Sequence, residues 1–392
     1  MSHVPVTDPE LPRHARTFTS EVVAAEQLTA RSSTLSYFAH SVAKQLGTTS
    51  SELQQHLADG PYLSSLMETP LGNAAVVVLP MTFVEMIQDP DLTVRYGQAA
   101  LELSLGMGAR HVSLAGLLAS ALRYGELLKT QDGVLTTGHA TTAASILKTV
   151  EAVLLTCGRN WRAESVAVLG AGSIGKASTS ALLALLGLPG SLVLADLVAK
   201  QNETMRFAEE LRARHPGLEV SFADATRRPD SPLYRATFII GCTSTPYVLQ
   251  VEDLRPGAIV VDDSVPHCFN VERAFSRVAE SADLVLANGG TLRFASEFDS
   301  HAFAPRLLHS RLGWDAGTRQ VSDITSCTLS PLLMTHEPDL PATIGQGASA
   351  ADVLANYRGL DRFSITAPPI RCAGRSPSPA YLTRFAERFG SR

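Results

Sequence analysis

The sequence predicts an α/β fold built around an open, doubly wound parallel sheet, and three observations carry that expectation. Val166-Ala-Val-Leu-Gly170-Ala-Gly172-Ser-Ile-Gly175 is an apolar run followed by GxGxxG and a helix-compatible stretch. A second apolar run, Ser191-Leu-Val-Leu-Ala195, ends at Asp196. Beyond it, short apolar runs keep alternating with polar stretches of helical or turn character, which implies parallel strands joined by right-handed crossovers. Together these form the βαβ setting of a Rossmann-type dinucleotide site, where a lone glycine pattern would be weak.

The elements follow in order. Residues 1–60 are polar and helix-prone, with Pro5, Pro9 and Pro12 giving a loose start. Asn73-Ala-Ala-Val-Val-Val-Leu-Pro80 reads as a buried strand. Asp89-Pro90-Asp91 opens a helix running to about Met107, since proline is tolerated in a first turn and acids favour it. Arg110 to Gly116 reads as a strand leading into a loop. Gly138 to Cys157 reads as one long helix with Ile146, Val150, Val153 and Leu154 on an apolar stripe. After the glycine motif come a helix over about 201–214 and strands at Leu218–Phe222, Ala236–Ile240, Ala258–Val261 and Asp283–Leu286. The tail, about 330–392, is proline-rich with short helical segments. The expected organisation is an N-terminal α/β domain over 1–137 carrying substrate and catalytic groups, a bridging helix over 138–159 and a dinucleotide-binding domain over 160–300. A C-terminal helical segment, 301–392, would pack back on the rest.

Composition narrows the function. A chain of 392 residues with 45% apolar content suits two domains with sizeable cores. A net charge of −5 offers no polyanion-binding signature, which argues against nucleic acid as a partner. No apolar run has the length of a membrane span, and the N-terminus lacks the basic start and apolar core of a signal peptide. Five scattered cysteines without CxxC spacing argue against a disulfide framework or a zinc site, so no metal is expected and the reducing cytoplasm is the expected compartment.

The candidate cofactor residues come from the motif and the strand ends. Gly170 allows the turn off the strand, Gly172 lets the backbone approach a pyrophosphate, and Gly175 lets the helix pack closely. The helix starting near Ser173 and Ile174 turns its free N–H groups and positive end toward phosphates. A carboxylate at Asp196 can accept from a ribose 2′-hydroxyl and would repel a 2′-phosphate, which favours NADH over NADPH. Ligands in such a sheet lie beyond the carboxyl ends of the strands. Three loops sit there: Gly241 to Pro246 with Thr243 and Ser244, Asp262 to His267, and Asn288-Gly289-Gly290. Each is also what an ordinary strand-to-helix turn looks like.

The chain resembles a known family at this point. Thr136-Thr-Gly138-His-Ala-Thr-Thr-Ala143, the glycine motif, the Asp262–Pro266 loop, Asn288-Gly-Gly290 and Thr325-Ser-Cys327 occur in the order and spacing of the long-chain acyl-[acyl-carrier-protein] reductases, cyanobacterial-type enzymes that form aldehydes. The resemblance runs from about Pro80 to Leu333; more distantly the layout is similar to shikimate dehydrogenases and glutamyl-tRNA reductases. It implies that Cys327 takes the acyl group from an acyl-carrier protein or CoA thioester, and that a reduced nicotinamide then gives hydride to the enzyme-bound thioester, releasing an aldehyde. Read without the family, Cys327 is equally a small buried hydrophobe at a packed helix start.

The chain departs from the family in its substrate surroundings. The motif that usually continues Asn-Thr-His-Thr-Ala reads His139-Ala-Thr-Thr-Ala143 here. The Gly-Gly-Phe-Thr-Ser loop is Ala115-Gly-Leu-Leu-Ala119, Tyr-Pro-Lys is Val265-Pro-His267, and the acid expected three residues after the cysteine is Ser330. The family's arginine for a 2′-phosphate is Leu197, which leaves the choice between NADH and NADPH open, since the family uses NADPH. A proton donor is needed where an alkoxide develops, and His139 and His267 are the candidates, His139 alternatively capping its helix. His111 reads as a surface residue, and Lys148 and Glu151 as a solvated helix face. Two alternatives stand beside the thioester reading: a shikimate-type dehydrogenase of a small ketone, imine or hydroxy acid without covalent catalysis, and a dinucleotide-binding or sensing protein without turnover. Self-association as a homo-oligomer is left open.

Overall fold

The structure, a computed structural model, describes residues 30–38, 60–226, 230–302, 318–345 and 347–391. The loose start expected for residues 1–60 lies almost wholly outside these residues. The chain divides into two compact units, each built from two separate stretches: 1–138 with 294–347, and 139–293 with 348–392.

The first unit is a seven-stranded mixed sheet in the order β13-β12-β2-β3-β1-β4-β5. Its strands are β1 (Ser32–Phe38), β2 (Tyr62–Thr69), β3 (Gly72–Thr82), β4 (His111–Leu114), β5 (Leu135–Thr136), β12 (Thr291–Ala302) and β13 (Thr318–Thr325). β1 lies between β3 and β4, parallel to both, although its run of serines and threonine shows no hydrophobic signal. Two of its buried hydroxyls meet hydroxyls distant in the sequence. Ser33 Oγ lies 2.8 Å from Ser104 Oγ, and Thr34 Oγ1 lies 3.0 Å from Ser113 Oγ on β4. Helix α1 (Phe83–Gln88) starts with a capping box between Thr82 and Glu85. Helix α2 (Pro90–Gly106) starts as its sequence predicts, with Asp89 accepting from the Leu92 N–H at 2.9 Å and proline in the first turn. A short helix α3 (Leu118–Ala121) follows β4.

The second unit is a six-stranded sheet with every pairing parallel. Its strands are β6 (Ser165–Leu169), β7 (Ser191–Asp196), β8 (Val220–Asp224), β9 (Phe238–Gly241), β10 (Ala258–Asp262) and β11 (Leu284–Asn288). Read from β8, the order β8-β7-β6-β9-β10-β11 is the 3-2-1-4-5-6 order of the Rossmann fold, with its switch point between β6 and β9. All five residues of β10 are buried, as a strand covered on both faces requires. Helices α4 (His139–Thr156), α5 (Ser173–Leu186), α6 (Gln201–Arg214) and α7 (Val271–Ser281) belong to this unit.

Two expectations about organisation are corrected. The helix expected to bridge from 138 to 159 is α4, which is part of the second unit and packs on α5, β10 and β11. It is buried nearly all round, and two of its buried polar residues find partners there: Thr141 Oγ1 donates to Asn356 Oδ1 at 2.8 Å, and Ser145 Oγ to the Gly289 carbonyl at 2.6 Å. The segment expected as one C-terminal piece from 301 is divided. Helix α8 (Ser326–His336), with Cys327, packs on β4, β1 and β3 in the first unit, while α9 (Ala350–Arg362) and α10 (Pro379–Phe389) belong to the second. Lys148 and Glu151 are likewise not a solvated face. Lys148 pairs with Asp361 at 2.5 Å and lies over the Tyr357 ring, whose hydroxyl meets Glu151, so both residues fasten α4 to α9.

Candidate dinucleotide and thiol sites

In the second unit the glycine loop is shaped for close backbone approach. Gly170 has φ +97°, and a Cβ there would lie 2.5 Å from the Cys242 carbonyl oxygen, so the loop after β6 presses on the loop after β9 at the switch point. A Cβ at Gly175 would lie 2.0 Å from the Gly170 carbonyl oxygen, inside the seam between α5 and its strand. Gly172 differs: among the described residues, a Cβ there meets nothing within 4 Å. That open space sits at the N-cap of α5, where no side chain caps the helix and its first N–H groups keep their capacity for an anion. A pyrophosphate fits both observations. Ser173 and Ile174, half-buried, begin the helix. Asp196, ending β7, accepts from the Ala171 N–H at 2.9 Å and the Leu197 N–H at 2.8 Å, so it also ties the glycine loop to the neighbouring strand. A carboxylate has about four lone-pair positions, which leaves capacity for a ribose hydroxyl.

The three strand-end loops are joined to one another. Thr243 donates its N–H to Ser264 Oγ at 3.1 Å, and its own Oγ1 accepts from Thr245 N–H at 3.0 Å, so its hydroxyl shapes the turn; Ser244 is exposed. Gly289 donates its N–H to the Asp262 carbonyl at 2.9 Å, and a Cβ there would lie 3.3 Å from Asp263 Cβ. Among the described residues, the buried Oδ1 of Asn288 has no hydrogen-bond partner. Asp263 was not singled out by the sequence. Burial, followed by the charge of Asp262, holds its carboxyl well above the usual carboxylate range.

The two candidate histidines sit in different surroundings. His139 opens α4, is 7% exposed, and places Nδ1 2.8 Å from Ser173 Oγ on the glycine loop's helix. Burial pulls its ring down to about 4, so it is neutral at neutral pH and holds no imidazolium proton to give. His267 is half-buried, stacks on Phe269 and places Nδ1 2.8 Å from Asp262 Oδ2. Asp262, 3% exposed, also accepts from the Ser264 and Cys268 N–H groups, so its carboxylate is fixed and fixes the imidazole in turn. His111, by contrast, places Nδ1 2.9 Å from the Gly133 carbonyl oxygen.

Cys327 lies in the first unit, in the first turn of α8. Its thiol is half-buried and 3.4 Å from Thr325 Oγ1, and its carbonyl accepts from Ser113 Oγ at 2.6 Å. Negative charge developing on this sulfur meets the positive end of an eleven-residue helix. The remaining thiols are in contrasting places: burial pushes Cys157 and Cys372 up to about 12, and Cys242 and Cys268 well above the ordinary range. Tyr37 was missed by sequence reasoning. It lies on β1, its hydroxyl accepts from Leu117 N–H at 3.4 Å, and burial, with Cys327 contributing, raises its phenol. Nothing local in the chain marks it, because the strand that carries it has no apolar run. Ser330, in the place of the expected acid, is buried beside Gly138. Among the described residues no His, Cys, Asp and Glu group of three or more could hold a metal ion, and no helix is long and apolar enough to cross a membrane.

No family model matches the chain, and no curated protein matches it. Solved structures do. The L-tryptophan dehydrogenase of Nostoc punctiforme is 12% identical over 96% of this chain and 95% of its own, with a TM-score of 0.37. The Δ1-pyrroline-2-carboxylate reductase of Thermococcus litoralis is 10% identical over 58% and 67%, with a TM-score of 0.29. Glucose dehydrogenase from Haloferax mediterranei is 22% identical over 38% of this chain and only 43% of its own length, with a TM-score of 0.30.

Proposed function

We propose that the chain is an oxidoreductase that uses NADH or NADPH to reduce an acyl thioester, carried on an acyl-carrier protein or CoA, to an aldehyde. The observation that supports the cofactor is the open space over Gly172 at the uncapped start of α5, at the switch point of the sheet. Gly170, Gly172 and the first N–H groups of α5 would hold the pyrophosphate, and Asp196 the adenosine ribose. A bound reduced nicotinamide supplies the hydride. The half-buried thiol at the start of α8 supports the covalent route.

Cys327 Sγ, as thiolate, attacks the thioester carbonyl; a new acyl–sulfur bond forms, the old one breaks, and the carrier leaves as a thiolate that takes up a proton. After hydride addition to the acyl carbon, the resulting hemithioacetal anion expels Cys327 thiolate and releases the aldehyde. Incubating the protein with an acyl thioester and no nicotinamide should add the acyl mass to the intact chain, and Cys327→Ser should abolish both the adduct and aldehyde formation. Full thioester reduction by Cys327→Ser would sink the covalent route.

A second reading, a dehydrogenase of a small ketone, imine or hydroxy acid, is favoured by the His267–Asp262 pair at the carboxyl edge of the sheet, which can hold and move a proton without a nucleophile. Under it, His267→Asn lowers turnover by about 10²–10⁴-fold and Cys327→Ser changes nothing.

A further inference from the structure

We propose that His139 is a positioning residue for the dinucleotide's pyrophosphate: it holds Ser173 Oγ as an acceptor, so that the serine hydrogen is turned to a phosphate oxygen at the start of α5. This rests on the dinucleotide part of the proposed function and is independent of the thioester chemistry.

Within Gly170-Ala-Gly-Ser-Ile-Gly175, Ser173 carries the only hydroxyl. It is half-buried and follows Gly172, whose missing Cβ leaves the space above the loop open. A serine hydroxyl rotates to suit its partners and has one hydrogen to give. His139 Nδ1 is 2.8 Å away, which leaves two arrangements. With the hydrogen on Nδ1, the imidazole donates to Ser173 Oγ and the serine hydrogen is available to an anion. With the hydrogen on Nε2, Ser173 donates to Nδ1 and turns lone pairs outward, which repel a phosphate. An anion at the helix start therefore selects the first tautomer. The ring can serve this role because it is neutral and fixed: it is 7% exposed, and α4 packs along α5, the helix that Ser173 opens. The histidine of the Thr-Thr-Gly-His stretch thus serves the glycine loop, two motifs that the sequence presents apart.

The test uses the full chain and calorimetric titration with ADP-ribose, NADH and adenosine. His139→Ala and Ser173→Ala should each weaken ADP-ribose and NADH about tenfold, as one hydrogen bond to a charged group would, and leave adenosine unchanged. The double variant should be no weaker than either single one, because both remove the same contact. His139→Asn should restore binding to within about threefold, since an asparagine amide nitrogen reaches the place of Nδ1. If alanine leaves a cavity that prevents folding, His139→Leu fills it and carries the same expectations. Unchanged ADP-ribose affinity in His139→Ala or His139→Leu, or losses that add in the double variant, would overturn the inference alone. Wild-type protein that binds neither ADP-ribose nor NADH would overturn the dinucleotide reading and the inference with it.

Discussion

A histidine buried as a neutral ring makes the folded chain sensitive to acid in a defined window. His139 titrates near 4 in the folded protein against 6.5 for an ordinary histidine, because burial penalises the charged ring. Between those values the unfolded chain binds a proton that the folded chain does not. Stability is therefore fully present above 6.5 and falls as the pH drops toward 4, by up to about 3 kcal/mol. Urea unfolding of wild type and His139→Asn across pH 4–7 should show this extra loss in the wild type alone; parallel profiles would refute it. Glu164 and Arg159 make the opposite kind of demand. The carboxylate is 1% exposed, and it accepts from Arg159 Nε at 2.7 Å and Nη2 at 2.6 Å and from Thr237 Oγ1. Glu164→Ala strands a buried guanidinium and should cost about 3–5 kcal/mol in urea unfolding. A loss below about 1 kcal/mol would mean that water replaces the partner.

At the scale of the element, the three glycines of one loop have three different reasons to be glycine. A methyl at Gly175 would collide with the Gly170 carbonyl, and one at Gly170 would collide with the Cys242 backbone at a positive φ, so Ala at either site should unfold or distort the second unit. At Gly172 the backbone is extended and the space is empty. Gly172→Ala should keep its thermal midpoint yet lose ADP-ribose affinity at least tenfold, about 1.4 kcal/mol, since the methyl occupies the place of the phosphate. Retained affinity in a folded Gly172→Ala would remove the pyrophosphate from this loop. These roles were legible because a turn, a close approach and a phosphate cradle each leave a glycine at fixed spacing. The parallel strands were legible for a related reason: burial on both faces writes continuous apolar runs such as Ala258-Ile-Val-Val261. β1 was not, since Ser33 and Thr34 are buried through hydroxyl pairs with residues more than seventy positions away, and no local pattern encodes a distant partner. Tyr37, Asp263 and the contact of His139 with Ser173 escaped for the same reason.

At the scale of the whole molecule, each unit is closed by a stretch that returns late in the chain, so the end of the sequence is structural in the second unit. Phe385 on α10 is 1% exposed, Phe389 packs so tightly over Gly257 that a Cβ there would lie 2.6 Å from its ring, and Tyr381 donates its hydroxyl to the Leu284 carbonyl. The chain end is held too, Ser391 donating its N–H to the Gly158 carbonyl at 2.8 Å. These contacts cover the ends of β10 and β11 and the end of α4, whereas the glycine loop leaves β6. Phe385→Ala should therefore lower stability by about 3–5 kcal/mol through loss of burial and the cavity left behind, without altering the dinucleotide site. Ligand linkage separates the two effects. ADP-ribose at about 100 times its dissociation constant stabilises any chain with an intact site by about 2.7 kcal/mol. Phe385→Ala should gain that same increment from a lower starting point and stay less stable than unliganded wild type or only match it. A smaller increment in the variant would show that α10 supports the loop at the switch point as well as the far side of the sheet.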